Sequence, residues 1–183
     1  MSSQIEQIKT LREKTGLGVI ECKKALEESG NSIEKALEFL KQKGIQLAEK
    51  KESRETKEGL IGSYVHTNGK IGVLIEVACE SDFVARTEDF KELVKNLSLH
   101  IAALSPTWIT KESVPIEIIK EKEKNFGQQA ETKLEEFFKE KVLFNQPFVR
   151  DNSISVEAYI KEKIAKLGEN IKVSRFARFQ IGE

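Results

Sequence analysis

Apolar residues near the N-terminus recur at helical spacing. Ile5, Ile8 and Leu11 mark one face before Thr15-Gly16-Leu17-Gly18 interrupts the pattern, and Ser3 with Glu6 reads as a capping box at its start. A second helix is predicted over 19–29, with Cys22, Ala25 and Leu26 inward and Gly30 as a left-handed stop. The third starts at Asn31 with Glu34, carries Ile33, Ala36, Leu37 and Leu40 on one face, and is predicted to end at Gly44. Three helices this short enclose only a small core, marginal by itself. The stretch 45–58 is dominated by Lys, Arg and Glu, which reads as a solvated helix or linker and hence a boundary.

The clearest β signal follows. Asn68-Gly69 favours a two-residue type I′ turn between two β-rich segments. Counting outward from Thr67 opposite Lys70 puts His66, Tyr64, Gly62 and Leu60 opposite Ile71, Val73, Ile75 and Val77, all on one apolar face. The other face receives Thr67, Ser63, Lys70 and Glu76, together with Val65, Ile61 and Leu74. A one-residue slip would expose the first set, so the register is determined.

Residues 79–86 form a connection, and Thr87 caps a helix whose Phe90, Leu93, Val94, Leu97, Ile101 and Leu104 make a continuous stripe up to Pro106. Further helices are predicted from Pro115 to about 125, around Leu134, Phe137 and Phe138 as far as Pro147, and from Val156 to Gly168. The alternating segment 171–181 reads as a strand. The fold class is therefore α+β, an N-terminal three-helix bundle followed by an antiparallel sheet with helices on one face. The expected division is 1–44 for the bundle, 45–58 for the charged segment and 59–183 for the core.

Composition narrows the chemistry. In 183 residues, 30 Lys and Arg balance 30 Asp and Glu, which excludes a globally basic nucleic-acid binder. The Lys/Arg-rich 41–58 stretch is interrupted by Glu, so no direct nucleic-acid contact is expected. No apolar run approaches the roughly 18 residues of a membrane span. Two cysteines make no disulfide framework, and the first fifteen positions lack the apolar stretch of a signal peptide, so the expectation is a cytoplasmic chain.

Catalytic groups are sparse. His66 at the hairpin and His100 beside a helix stripe have structural explanations, and Cys22 and Cys79 read as buried thiols. No zinc spacing and no P-loop occurs. The expectation is no catalytic residue, no metal ligand set and no cofactor. A hydrolase using Cys79 or His66 is the weaker hypothesis.

Two places resist simple burial. Val19 and Ile20 are neighbours on a helix about 100° apart, so one faces outward beside Arg12 and Lys23. That suits a partner surface, or both tuck into the small bundle; the residues leave the two readings even. In Glu80-Ser81-Asp82-Phe83-Val84-Ala85-Arg86, Phe83 either projects as an aromatic anchor beside Asp82 or folds back under the sheet with Asp82 as a local cap. The residues alone favour the second.

Several motifs in order then resemble one family. Leu11-Arg12-Glu13-Lys14-Thr15-Gly16-Leu17-Gly18 with Cys22-Lys23-Lys24-Ala25-Leu26 resembles the opening signature of bacterial elongation factor Ts, and Cys79 to Arg86 resembles its second signature. Gln146-Pro147-Phe148-Val149, Ile164 to Ile171, and Arg175-Phe176 with Arg178-Phe179 extend the likeness over nearly the whole chain. The resemblance implies a bundle of the ubiquitin-associated type and an exchange factor that binds GDP-bound elongation factor Tu and promotes GDP release. It implies an aromatic wedge at Phe83 with Ser81, Asp82 and Val84 around it, which displaces the Mg²⁺ held with the partner's nucleotide. It implies a second partner contact at Arg12, Val19, Ile20 and Lys23.

Four departures qualify the likeness, one of them the region from Gly127 to Leu134, which is shorter than in many members and has no Gly-Lys-Pro connection. Ser81 stands where Thr is usual, and Val19-Ile20-Glu21 where Met-Met-Asp is commoner. The chain resembles the compact form, whose members can pair through the C-terminal region, and Ala177 occupies a place where some of them carry Cys. A homodimer here would rest on packing alone. The competing reading is a passive adaptor that binds partners through the bundle without changing nucleotide release.

Overall fold

The computed structural model describes residues 4–182, so Ser3 of the expected capping box lies outside them. Three helices open the chain: α1 (Gln4–Thr15), α2 (Val19–Glu28) and α3 (Ile33–Lys51). Leu11, Cys22, Ala25, Leu26, Ala36 and Leu40 are buried together between them. After α2, Gly30 and Asn31 both take left-handed backbone at φ 61°, and the Asn31 N–H donates to the Leu26 carbonyl at 2.8 Å. This turn occupies Asn31, so Ser32 caps α3 in its place, its hydroxyl accepting the Lys35 N–H at 3.4 Å.

Helix α3 does not end at Gly44. Ala36, Leu40, Gly44 and Ala48 form one buried ridge at four-residue spacing. Leu40 belongs to the bundle core and Ala48 to the main core, so the helix carries the ridge from one to the other. Gly44 sits against Ala165 of α8 (Val156–Leu167), where an added β-carbon would come within 3.2 Å of the Ala165 methyl. Close packing overrides the roughly 1 kcal/mol helix penalty of glycine. The first residues of the charged 45–58 stretch are the last turns of this helix.

Strands β1 (Glu58–Val65), β2 (Ile71–Cys79) and β5 (Ile171–Gln180) form an antiparallel sheet in the order β1-β2-β5. The β1–β2 register is the counted one, with Leu60 opposite Val77, Gly62 opposite Ile75 and Tyr64 opposite Val73. The turn chemistry differs from the expected type I′. Gly69 is left-handed at φ 67° but Asn68 is not, and the turn closes through the Gly69 N–H on the His66 carbonyl at 2.8 Å. The Asn68 side chain instead accepts the Lys70 N–H at 2.9 Å, an Asx-type bond that the type I′ assignment overlooked.

The inner sheet face, with Val73, Ile75, Val77 and Cys79, lies under α5 (Glu88–Leu104), whose Phe90, Leu93, Leu97 and Ile101 are fully buried. Thr87 caps α5 as expected, accepting the Phe90 N–H at 3.3 Å. Gly62 lets α5 approach β1, since a β-carbon there would collide with Val94 Cγ1. Helix α8 completes this core; its Tyr159 stacks on Phe148 at 4.2 Å and accepts a bond from Asn96 at 2.8 Å.

Helices α6 (Ile116–Phe126) and α7 (Ala130–Lys141) pair over their own small core of Val114, Phe138 and Val142. Pro147 does not close α7. It opens a two-stranded sheet, β3 (Pro147–Phe148) with β4 (Asp151–Ser155), too short to read from periodicity. Among the described residues no helix covers the outer face of the main sheet, and Ile61, Val65, Leu74 and Phe179 are exposed there.

Candidate functional site

The connection after β2 is a single helical turn, α4 (Asp82–Ala85). Ser81 takes extended backbone, φ −129° and ψ 154°, and its hydroxyl accepts the Val84 N–H at 3.3 Å. Once Ser81 caps the turn, the roughly 100° step between residues fixes where each side chain goes. Val84 and Ala85 are buried, which sends Asp82 and Phe83 outward. Phe83 is 78% exposed.

This corrects the reading in which Phe83 folds under the sheet and Asp82 serves as the cap. Val84 fills the inward position and Ser81 is the cap. Asp82 pairs with Arg86 across the turn at 2.8 Å, both side chains largely in solvent.

The root of α4 is held from the other end of the chain. Glu169, just beyond α8, accepts the Ser81 N–H at 3.0 Å and the Ser81 hydroxyl at 2.6 Å. The Asn170 N–H donates to Glu80 at 2.6 Å, and the Asn170 side chain donates to the carbonyls of Arg54 at 2.8 Å and Glu52 at 3.2 Å. Arg54 lies 3.5 Å from the same Glu80 carboxylate. Sequence reasoning named neither Glu80 nor Glu169 as a site residue. Both lie inside motifs that carried the family likeness, but local spacing cannot connect Ser81 to Glu169, 88 residues away.

In the bundle, Ile20 is 82% and Val19 49% exposed, so the pair does not tuck in. Arg12 and Val19 line one shallow groove with Ile5, Ile8 and Leu17. Ile20 and Lys23 are exposed on the same helix but outside that groove, and Lys23 lies 3.8 Å from Glu27 in solvent.

The remaining reactive groups each have a partner within the fold. Burial, with the Glu169 charge adding to it, pushes the Cys79 thiol up to about 11, and its S–H donates to the Ser81 carbonyl at 3.2 Å. A thiol so protonated is a poor nucleophile. Cys22 is raised in the same direction, mainly by burial. His100 is fully buried, with Nε2 2.9 Å from Gln146 Oε1 and Nδ1 accepting the Val149 N–H at 3.2 Å. Those contacts fix the neutral ring with its proton on Nε2, and desolvation lowers its pKa. His66 is exposed and bonds Tyr64 Oη at 3.0 Å. Among the described residues no group of three or more His, Cys, Asp or Glu could hold a metal ion, and no helix is long and apolar enough to cross a membrane.

The structure thus sets apolar side chains, Phe83, Val19 and Ile20, in solvent on helical backbone with charged side chains around them, the feature by which a docking surface would be recognised. The comparisons with known proteins show the family. The family model described as elongation factor TS matches residues 6–183. The chain is 51% identical to elongation factor Ts of Fervidobacterium nodosum over the full length of both, and 51% identical to that of Thermosipho melanesiensis over 96% of this chain and 97% of the relative. It is 49% identical to elongation factor Ts of Thermotoga neapolitana over 100% and 99% of the two chains. The chain belongs to the elongation factor Ts family and is a translation elongation factor.

Proposed function

We propose that this protein is a guanine nucleotide exchange factor for elongation factor Tu, acting in the cytoplasm on both the GDP-bound and the nucleotide-free partner. It makes and breaks no covalent bond. Phe83 is the wedge, with Asp82 beside it and Ser81 and Val84 fixing its base; its entry into the partner would weaken the hold on the Mg²⁺ bound with the nucleotide. Arg12, Val19, Ile20 and Lys23 make a second contact. The observation that carries this reading is Phe83, 78% exposed on a turn whose next two residues are buried.

The energetics are those of reciprocal coupling. A protein that binds nucleotide-free Tu more tightly than Tu with GDP weakens GDP by the same factor. Weakening by about 10⁴-fold corresponds to a differential of about 5.5 kcal/mol. A desolvated aromatic ring together with a lost metal–phosphate contact is chemistry of that order.

The test is release of a fluorescent GDP analogue from purified Tu. Acceleration by this protein supports the reading; tight binding with no change in the off-rate would establish the passive adaptor instead.

We also infer that two copies pair through the C-terminal region. The support is the uncovered sheet face, where Leu74 lies beside Ala177 and Phe179 beside Gly72. With alanine at 177 the pairing rests on apolar packing.

A further inference from the structure

Phe83 has almost no contact of its own to orient it, and the turn that carries it has only four residues. A single turn is far below the length at which a helix is stable by itself. Its direction comes from the buried Val84 and Ala85 on its inner side and from what holds Ser81 at its start.

The last backbone pair of β2 and β5 is Cys79 with Ile171. Beyond it, 80 faces 170 and 81 faces 169 in the same register, but side chains take over the hydrogen bonding. Each strand end offers one backbone N–H and one carboxylate to the other. The Asn170 N–H goes to Glu80 Oε1 at 2.6 Å, and the Ser81 N–H goes to Glu169 Oε2 at 3.0 Å. The Ser81 hydroxyl donates to Glu169 Oε1 at 2.6 Å, leaving its lone pairs for the Val84 N–H. Bonds to an ionised acceptor are about twice as strong as neutral ones. Glu80, Ser81 and Glu169 are half-buried and Asn170 is buried, so water competes poorly for them.

We propose that Glu169 is a positioning residue for the Phe83 anchor: through Ser81 it fixes the axis of α4, so that the ring is presented ready to dock. Glu80 closes the clasp from the other side. A preoriented anchor loses less conformational freedom on docking than a mobile one. This assignment rests on the exchange-factor reading for its consequence, but its geometry can be tested without the partner.

The experiment uses the full chain and two readouts. In the free protein, Glu169→Ala is expected to speed amide hydrogen exchange at Ser81 and Val84 by about tenfold, leaving Leu93 and Leu97 in α5 unchanged. Unaltered exchange at Ser81 and Val84 overturns the clasp whatever the protein does to Tu. With Tu, Glu169→Ala is expected to lower the maximal rate of GDP-analogue release by about tenfold, with little change in the half-saturating concentration. In a Phe83→Ala background the same change is expected to add nothing. An equal loss in both backgrounds shows a general structural role and overturns the proposal. If Glu169→Ala does not fold, Glu169→Gln, which keeps one carbonyl acceptor, carries both readouts with a smaller expected effect. Failure of the unaltered protein to accelerate release would reject the exchange reading, while the hydrogen-exchange result still decides the clasp.

Discussion

Lys166 sets its ammonium 2.6 Å from Asp89 Oδ1 while its methylene stem covers Gly16, so one α8 side chain joins the α1–α2 turn to the start of α5. The Lys166 hydrogen bond, with Lys163 behind it, holds the Asp89 carboxyl below its ordinary 3.8. A lowered carboxylate pKa adds stability above the unfolded value and loses it as pH falls through the folded one. Both partners are about one-third exposed, so Lys166→Ala is expected to cost only about 0.5–1 kcal/mol. Gly16→Ala is expected to cost about 1–3 kcal/mol, because φ is 68° there and the new methyl meets the Lys166 stem. Urea unfolding measures both; Gly16→Ala as stable as the parent would contradict the packing.

Gly44 offers a sharper choice between a packed helix and a linker. In a solvated linker helix, Gly44→Leu would stabilise by up to about 1 kcal/mol through helix propensity. Against Ala165 it overpacks the α3–α8 contact and is expected to destabilise by about 1–3 kcal/mol. The sign of the change in unfolding free energy decides.

His100 carries a pH signature. Its folded pKa lies below 6.5, chiefly from burial, with the Gln146 bond opposing. Above the unfolded value both states are neutral and nothing is lost. As pH falls below it, the unfolded chain gains a proton that the folded chain refuses, and stability declines until the lowered folded value is reached. His100→Gln is expected to cost about 1–3 kcal/mol near neutrality. That deficit should shrink between about pH 7.5 and about pH 5.5; a constant gap would contradict the assignment.

Much of this architecture is legible locally. The hairpin register follows from Asn68-Gly69 and an apolar face that a slip would expose. The stripes of α5 and α8, the Thr87 cap and the Gly168 stop are each written within a few residues. What is illegible depends on distant neighbours. Gly44 carries a local stop signal that Ala165 overrides, and Ser32 takes the cap because two left-handed residues precede it. At the candidate site, Phe83 and Asp82 are expected only through the family likeness, and their exposure depends on Ser81 taking the cap. The Glu169 contact that holds Ser81 comes from the far end of the chain.

The uncovered sheet face makes a separate prediction. If two copies pair through it, Phe179→Glu with Leu74→Glu places charge in the seam and should give a monomer by analytical ultracentrifugation while leaving the fold intact. The same sedimentation for parent and variant would remove this face from the account.

Phe83 is so exposed that Phe83→Ala should change stability by less than about 0.5 kcal/mol. Its effect on the partner can therefore be read without a folding artefact. The measurement to make is the rate of GDP-analogue release from Tu at saturating protein, for the parent and for Phe83→Ala combined with Asp82→Ala. The expected result is release slowed by at least about tenfold, with the complex still forming through the bundle. Release as fast as with the parent would mean that the wedge is not what opens the nucleotide site.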